Sequence, residues 1–247
     1  MLTSLKNHPF GVKAFFEQSL VITYAIPQEE IKHLIPECLE LDTHENRWGF
    51  VALALVNARS LRPMGFPRFL GSDFFLAGYR IFVKYKTNQG KKLRGLYILK
   101  SETDNNVMAF MGNIFTHYNY TVTDIDFTQR NNRIKVQSNA SSIDLEVVIN
   151  ETEPSLPVGS PFSSWLEARR FAGPLPFTFT YNQETKEVLI IEGVRKQWLP
   201  QPVDLVSCNI GFLKRDEFKN AVLANAFLFQ NIPYRWKKGR IEKWLAS

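Results

Sequence analysis

Runs rich in β-branched and aromatic residues, bounded by polar, Gly or Pro positions, recur along the chain and predict a mainly β protein. The predicted strands are Ser19 to Ala25, Trp48 to Ser60, Phe75 to Thr87, Lys92 to Ser101, Tyr118 to Phe127, Arg133 to Ser138, Ser142 to Asn150, Phe177 to Tyr181, Glu187 to Trp198 and Val203 to Leu213. Asn88-Gln89-Gly90 joins two of them as a hairpin turn, with Gly supplying a positive φ. Helical spacing is confined to three segments. Gln28 to Leu39 is cut by Pro36, Asn105 to Phe115 has Asp104 or Asn105 as N-cap, and Ser163 to Phe171 has Ser163 as N-cap. The Pro-rich stretch Pro154 to Pro161 breaks the chain without separating domains. The pattern therefore predicts one α+β domain over residues 1–247, built on an antiparallel β barrel or sandwich with a few short helices.

A strand residue shares its face with the residues two before and two after it, which makes a few charges conspicuous. Arg80 falls on the face of Leu76 and Phe82 and must find acceptors, from protein groups or from an anionic ligand. Arg94 and Lys100 bracket Leu96 and Ile98 on one face. A lysine on an apolar wall can serve as an amine nucleophile, although Lys100 adjoins Ser101 and Glu102 at a strand end, where lysine commonly reaches water. Glu192 lies between Ile190 and Val194 and suits either acid–base work or an ion pair with Arg80 or Arg195. Glu167 and Arg170 are spaced as a helix-surface pair. Among the histidines, His117 stands out in Phe115-Thr116-His117-Tyr118-Asn119-Tyr120, where aromatic rings meet a titratable imidazole; a structural role is its simpler reading.

Composition narrows the classes. The chain has 247 residues with 45% hydrophobic and 13% aromatic positions, enough to bury a core without disulfides or a structural metal. Cys38 and Cys208 are far apart and no CxxC or Cys/His cluster occurs, so no metal site is indicated and a reducing cytoplasm fits. No apolar run is long enough to span a bilayer, and no hydrolase, nucleotide or zinc-protease motif is present. The net charge of +6 favours anionic partners, but the basic residues are spread along the chain, which disfavours nucleic acid. The basic segment Tyr234 to Arg240 reads as a solvated tail, with an interaction module as the alternative.

The order and spacing of several short motifs resemble the acetoacetate decarboxylase-like superfamily, nearest its uncharacterised bacterial branch. They are Tyr24-Ala25-Ile26-Pro27 leading through Leu34-Ile35-Pro36 to Leu39-Glu40-Leu41, Phe50-Val51-Ala52 with Arg62-Pro63-Met64-Gly65, and Gly78-Tyr79-Arg80-Ile81-Phe82-Val83. Gly95-Leu96-Tyr97, Gly112-Asn113-Ile114-Phe115 and the helix around Glu167 and Arg170 follow in order. The resemblance implies a β-cone or barrel-like fold around a central cavity, where the decarboxylases form a Schiff base between a lysine and a β-keto acid. Aligned on their lysine motif, this chain has Asn113 for an Arg, Ile114 for a Glu, and Tyr118, Asn119 and Tyr120 where Pro and two lysines would stand. Arg80 also replaces a cavity Glu. Imine chemistry needs an amine, so the family's reaction does not transfer directly.

These observations lead to an expected small-molecule-binding protein, or a lyase or isomerase without Schiff-base chemistry. Its partner would be a small anionic, carbonyl-type metabolite, with Arg80, Arg94 and Arg195 as ligand-binding residues and His117, Tyr118 and Glu192 as hydrogen-bonding or proton-transfer groups. The alternative is a Schiff-base lyase that recruits Lys100. No cofactor is called for, and a homo-oligomer is compatible with either reading.

Overall fold

The computed structural model describes residues 5–172, 175–196 and 198–245. In chain order its strands are β1 (Val12–Pro27), β2 (Glu40–Leu41), β3 (Trp48–Pro63), β4 (Ser72–Lys86), β5 (Lys92–Thr103), β6 (Tyr120–Val122), β7 (Asp126–Arg130) and β8 (Arg133–Ser138). They continue with β9 (Ile143–Val148), β10 (Phe177–Asn182), β11 (Glu187–Arg195), β12 (Gln201–Pro202), β13 (Asp204–Ile210), β14 (Val222–Trp236) and β15 (Arg240–Lys243). The helices are α1 (Gln28–Ile31), α2 (Asn106–Phe115) and α3 (Trp165–Phe171). None is long and apolar enough to cross a membrane among the described residues.

The pairings run β14-β1-β3-β4-β5-β10-β11, and β11 then pairs back onto β14 from Gly193↔Trp236 to Arg195↔Tyr234, so the order closes on itself. Most pairs are antiparallel, but β5 meets β10 and β6 in parallel. This mainly β ring confirms the predicted fold class. A separate four-stranded sheet, β13-β9-β8-β7, packs across the outside.

Both faces of the central strands are covered, which explains why β3 reads as a nearly unbroken apolar run instead of an alternation. The inner face carries Ala52, Ala54, Val56, Phe74, Leu76, Phe82 and Phe229, joined by Trp165 and Ala168 of α3. The outer face divides in two. Leu53, Leu55, Ala77 and Tyr79 meet Ile134, Val136, Leu145 and Val147 of the second sheet, and Val51, Ile81, Val83 and Tyr85 pack with Ile31 and Phe179. In β8, strict alternation of exposed and buried residues places Ile134 and Val136 on that contact.

Several sequence expectations need correction. β1 begins at Val12, seven residues before the predicted strand, and β14 was not predicted at all, because its dense apolar run is interrupted by Pro233. Pro233 pairs with Phe15 on one side, and on the other it lies between the stretches paired to β12 and β11. The segment Tyr234 to Arg240 is consequently no solvated tail: Tyr234, Arg235 and Trp236 end β14, Lys237 binds Glu192, and Arg240 opens β15. The predicted strand Tyr118 to Phe127 is two strands, β6 and β7, in different sheets. The predicted helix from Gln28 to Leu39 is a single α turn followed by a 3-10 turn that ends at Leu34, before Pro36. The N-cap of α3 is Ser164, one residue later than expected, and the predicted strand end Trp198 lies beyond β11. The Asn88-Gln89-Gly90 turn forms as expected, with Gly90 at φ +80°.

Glu167 has a different role from a surface pair with Arg170. Its carboxylate accepts hydrogen bonds from the Ser163 amide and hydroxyl, each at 2.7 Å, and lies 3.0 Å from His44 Nε2. These bonds, the backbone one foremost, hold its carboxyl down to about 2 from an ordinary 4.5. A depressed carboxylate stabilises the fold fully above its unfolded pKa and loses that contribution as pH falls through the folded one. Thermal melts of Glu167→Gln should show lower stability than the parent at neutral pH, with the two converging between about pH 4.5 and about pH 2. A constant difference across that range would mean that the carboxylate's ionisation is not what α3 depends on.

Candidate functional site

The inner face does not fill the ring. A cavity of about 430 Å³ remains, walled mostly by apolar side chains from β1, β3, β4, β5 and α2. No Asp, Glu or Lys among the described residues lines it, whereas Arg62, Arg80 and Arg195 do. Arg62 is occupied at the β3–β4 turn, donating to the Ser60 carbonyl at 2.6 Å and to that of Phe66 at 3.2 Å. The other two arginines are in a different position.

Arg80 projects inward from the middle of β4, opposite Ala52 on β3 and Ile98 on β5. Its side chain folds back over Gly78, where a Cβ would come within 3.1 Å of both Nε and Nη2, so the glycine makes the space that the guanidinium occupies. Arg80 Nε is buried without a hydrogen-bond partner. Burial lowers the Arg80 pKa, opposed only by the nearby Tyr234, Tyr120 and Tyr118 phenols. Arg195, at the end of β11, donates from Nη1 to Tyr234 Oη at 3.3 Å and lies 3.8 Å over the Trp198 ring. Its Nε is likewise buried and unpartnered, and its pKa is lowered by burial and, more weakly, by repulsion from Arg80. Two desolvated guanidiniums that repel each other and have no carboxylate partner are costly, and an anion between them would satisfy both.

Phenols complete this end of the cavity. Tyr118 precedes β6 and Tyr120 begins it, their rings 6.2 Å apart and edge to face. Asn113 of α2 fixes that approach, donating to the Tyr120 carbonyl at 2.9 Å and accepting from the Tyr120 amide at 2.7 Å. Burial pushes Tyr120 up to about 12 and raises Tyr118 as well, so both remain O–H groups at neutral pH and can donate to a bound oxygen. Trp198 Nε1 is a further buried donor without a partner.

The structure brings together Arg80, Arg195 and Tyr118 of the residues singled out from sequence. It places the other four elsewhere. A β-bulge between Tyr79↔Lys100 and Arg80↔Ile98 inserts Leu99 and reverses the alternation, so Ser101 lines the cavity while Lys100 turns to the outer face. There Lys100 Nζ binds Glu102 at 2.7 Å and lies over the Tyr79 ring. Arg94 shares the face of Leu96 but is held by buried Asp42 at 2.6 Å and the Phe171 carbonyl at 2.8 Å. Glu192 pairs with Lys237 at 2.9 Å, not with either arginine. His117 is half-buried with its pKa lowered by burial, and it does not line the cavity.

Of the polar cavity residues that the sequence reading did not single out for the site, Tyr120, Tyr234 and His8 are instructive. Tyr120 was recoverable, because it stands two residues from Tyr118 in a stretch predicted to be extended. Tyr234 carried no local signal, since its strand was unassigned. His8 precedes every predicted element; it is 6% exposed, lines the cavity, and has its Nδ1 unpartnered and its pKa lowered by burial. Among the described residues no group of three His, Cys, Asp or Glu is arranged to hold a metal ion.

Comparison with known proteins extends these observations. The model of an uncharacterized conserved protein family, DUF2071, matches residues 14–231. No curated protein matches the sequence. Among solved structures, acetoacetate decarboxylase from Legionella pneumophila superposes with a TM-score of 0.64 at 12% identity, covering 96% of this chain and 90% of that one. An acetoacetate decarboxylase-like enzyme from Sphingomonas wittichii RW1 gives 0.57 at 10% identity, covering 94% and 91%. The enduracididine biosynthesis enzyme MppR, complexed with pyruvate, gives 0.57 at 8% identity, covering 94% and 90%. At such identities the likeness establishes the acetoacetate decarboxylase-like fold and nothing finer.

Proposed function

The chain belongs to the DUF2071 family, whose matched span takes in Arg80, Tyr118, Tyr120 and Arg195, and we propose that these residues bind a small organic carboxylate without forming an imine. The observation that carries this reading is the pair of buried, unpartnered guanidinium Nε–H groups in a cavity lined by no carboxylate among the described residues. A carboxylate beside them would offset both guanidinium charges, and charge-assisted hydrogen bonds from arginine are strong where water is partly excluded. The pyruvate bound to MppR, a structural neighbour, supports an α-keto acid as one member of this class.

The same groups suit a carbonyl-bearing ligand. Protonated Tyr118 and Tyr120 can donate to a carbonyl oxygen, and the arginines favour negative charge that develops there, as in an enolate. That arrangement supports a lyase or isomerase step in which charge is stabilised by hydrogen bonds and not by a covalent amine. A relocated Schiff base on Lys100 is disfavoured, because its Nζ is engaged by Glu102 on the other side of the sheet.

Binding is tested by calorimetry with pyruvate, acetoacetate and their neutral methyl esters. The acids should bind and the esters should not; a folded protein that responds to no organic anion would refute the reading. For the chemistry, borohydride reduction in the presence of pyruvate or acetoacetate should leave the intact mass unchanged. A trapped adduct mapped to Lys100 or any other lysine would restore the imine mechanism.

A further inference from the structure

We propose that the preferred carboxylate ligand of this site carries a long apolar chain, so that short keto acids bind as its weaker head-group fragments and an amphipathic, fatty-acid-like acid binds best. The inference rests on the anion-binding reading above and adds the nature of the rest of the molecule. Three observations point the same way: volume, the distribution of polar groups, and the surface of the mouth.

The cavity's volume of about 430 Å³ equals that of roughly fourteen waters at about 30 Å³ each. A keto acid of pyruvate's size displaces fewer than half of these. The remainder could hold water only if polar groups were there to bind it, and empty space beside apolar walls forfeits dispersion contacts.

Arg80 and Arg195 lie near the Tyr118, Tyr120 and Tyr234 phenols, while Arg62 and Ser72 line the cavity at the β3–β4 end. Phe74, Leu76 and Arg80 all face inward from β4. At about 3.3 Å per residue, roughly 20 Å of strand runs from Arg80 to Phe74. Beyond Arg80 this wall offers no side chain that can bind a charge until Ser72, and the facing residues on β3 are Ala54 and Val56. A head held by Arg80 and Arg195 therefore adjoins an apolar stretch of wall, Leu76 and Phe74 on β4 with Ala54 and Val56 on β3, that suits an apolar tail.

Part of the lining is apolar and exposed among the described residues. Leu70, just before β4, and Val107 and Met111 of α2 line the cavity, yet they are 55%, 61% and 41% exposed. They continue the apolar wall outward, as a tail that reaches the opening would require.

The test is calorimetry with the intact protein and a series from pyruvate and butyrate through octanoate to decanoate, each below its micelle concentration, with decanol as the neutral control. Affinity should rise by about fourfold per added methylene until the cavity is full, and decanol should bind far more weakly than decanoate. Arg80→Met should abolish the preference for decanoate over decanol, and Val107→Trp at the exposed mouth should weaken decanoate while sparing butyrate. If pyruvate and butyrate bind as tightly as decanoate, the tail is refuted and the carboxylate site stands. If decanoate and decanol bind equally, and Arg80→Met changes neither, the carboxylate reading itself fails.

Discussion

Arg80→Met should weaken carboxylate binding by about 100-fold or more, roughly 3 kcal/mol, and at the same time make the ligand-free protein more stable. The two effects have one cause. The Arg80 guanidinium is buried with its Nε unpartnered, is repelled by Arg195, and has no carboxylate in the cavity lining among the described residues to offset its desolvation. Replacing a buried ion pair by apolar side chains is often neutral or stabilising by about 1–4 kcal/mol, and an unpaired buried guanidinium has less still to offset its desolvation. Met also fits above Gly78, where the present side chain already lies. The Arg80→Met protein should therefore melt a few degrees higher than the parent without ligand, and below it in saturating carboxylate, because the parent gains binding energy that the variant has lost. Thermal melts with and without ligand, paired with calorimetry, would show the crossing. A variant that melts lower in both conditions would mean that Arg80 has structural partners, and that the cavity was not built around an unmet charge.

The second large effect is structural. Gly95 lies where β5 passes β10 in parallel, and a Cβ there would come within 2.3 Å of the Phe177 carbonyl oxygen and 2.7 Å of the Phe179 ring. The first neighbour is backbone and cannot move aside without breaking the pairing. Gly95→Val should cost about 4 kcal/mol or more, at the upper end of single substitutions. β10 carries β11, and β11 carries both Arg195 and the pairing to Tyr234 that closes the ring. Carboxylate binding should accordingly be lost even under conditions in which the variant remains folded. Urea unfolding together with hydrogen exchange across β5, β10 and β11 would measure both, and a variant with parental stability would show that the strands can separate to admit a side chain.

Taken together, these expectations describe a site whose function and instability share the same atoms. The interior could have been sealed with apolar residues, as the outer clusters are. It instead keeps two guanidiniums and two protonated phenols around the cavity, an arrangement whose cost the proposed anion would offset.

Some of this could be read directly from the chain. The absence of lysine at Tyr118, Asn119 and Tyr120 is a matter of which residues stand at given positions, and by itself it excludes the decarboxylase amine there. Arg80 between Leu76 and Phe82 marks an apolar wall interrupted by a charge, and that inference needs only period-two alternation over a short, regular stretch. The Asn88-Gln89-Gly90 turn and the alternation of β8 are local in the same sense.

At the site, what failed depended on residues distant in sequence. The parity that put Lys100 beside Ile98 holds only while no residue is inserted, and the bulge at Leu99 exists because β5 must stay paired to β4 on either side of it. Tyr234 became part of the site because β11 and β14, joined by no local signal, meet at Arg195↔Tyr234. Arg94 and Glu192 found Asp42 and Lys237, partners that strand periodicity cannot supply. The chain by itself determined which chemical groups were available and which reaction was missing its nucleophile. Only the tertiary structure decided which groups share the cavity, because register, bulges and ring closure arise from pairing between strands, and alternation along one strand says nothing about its neighbour.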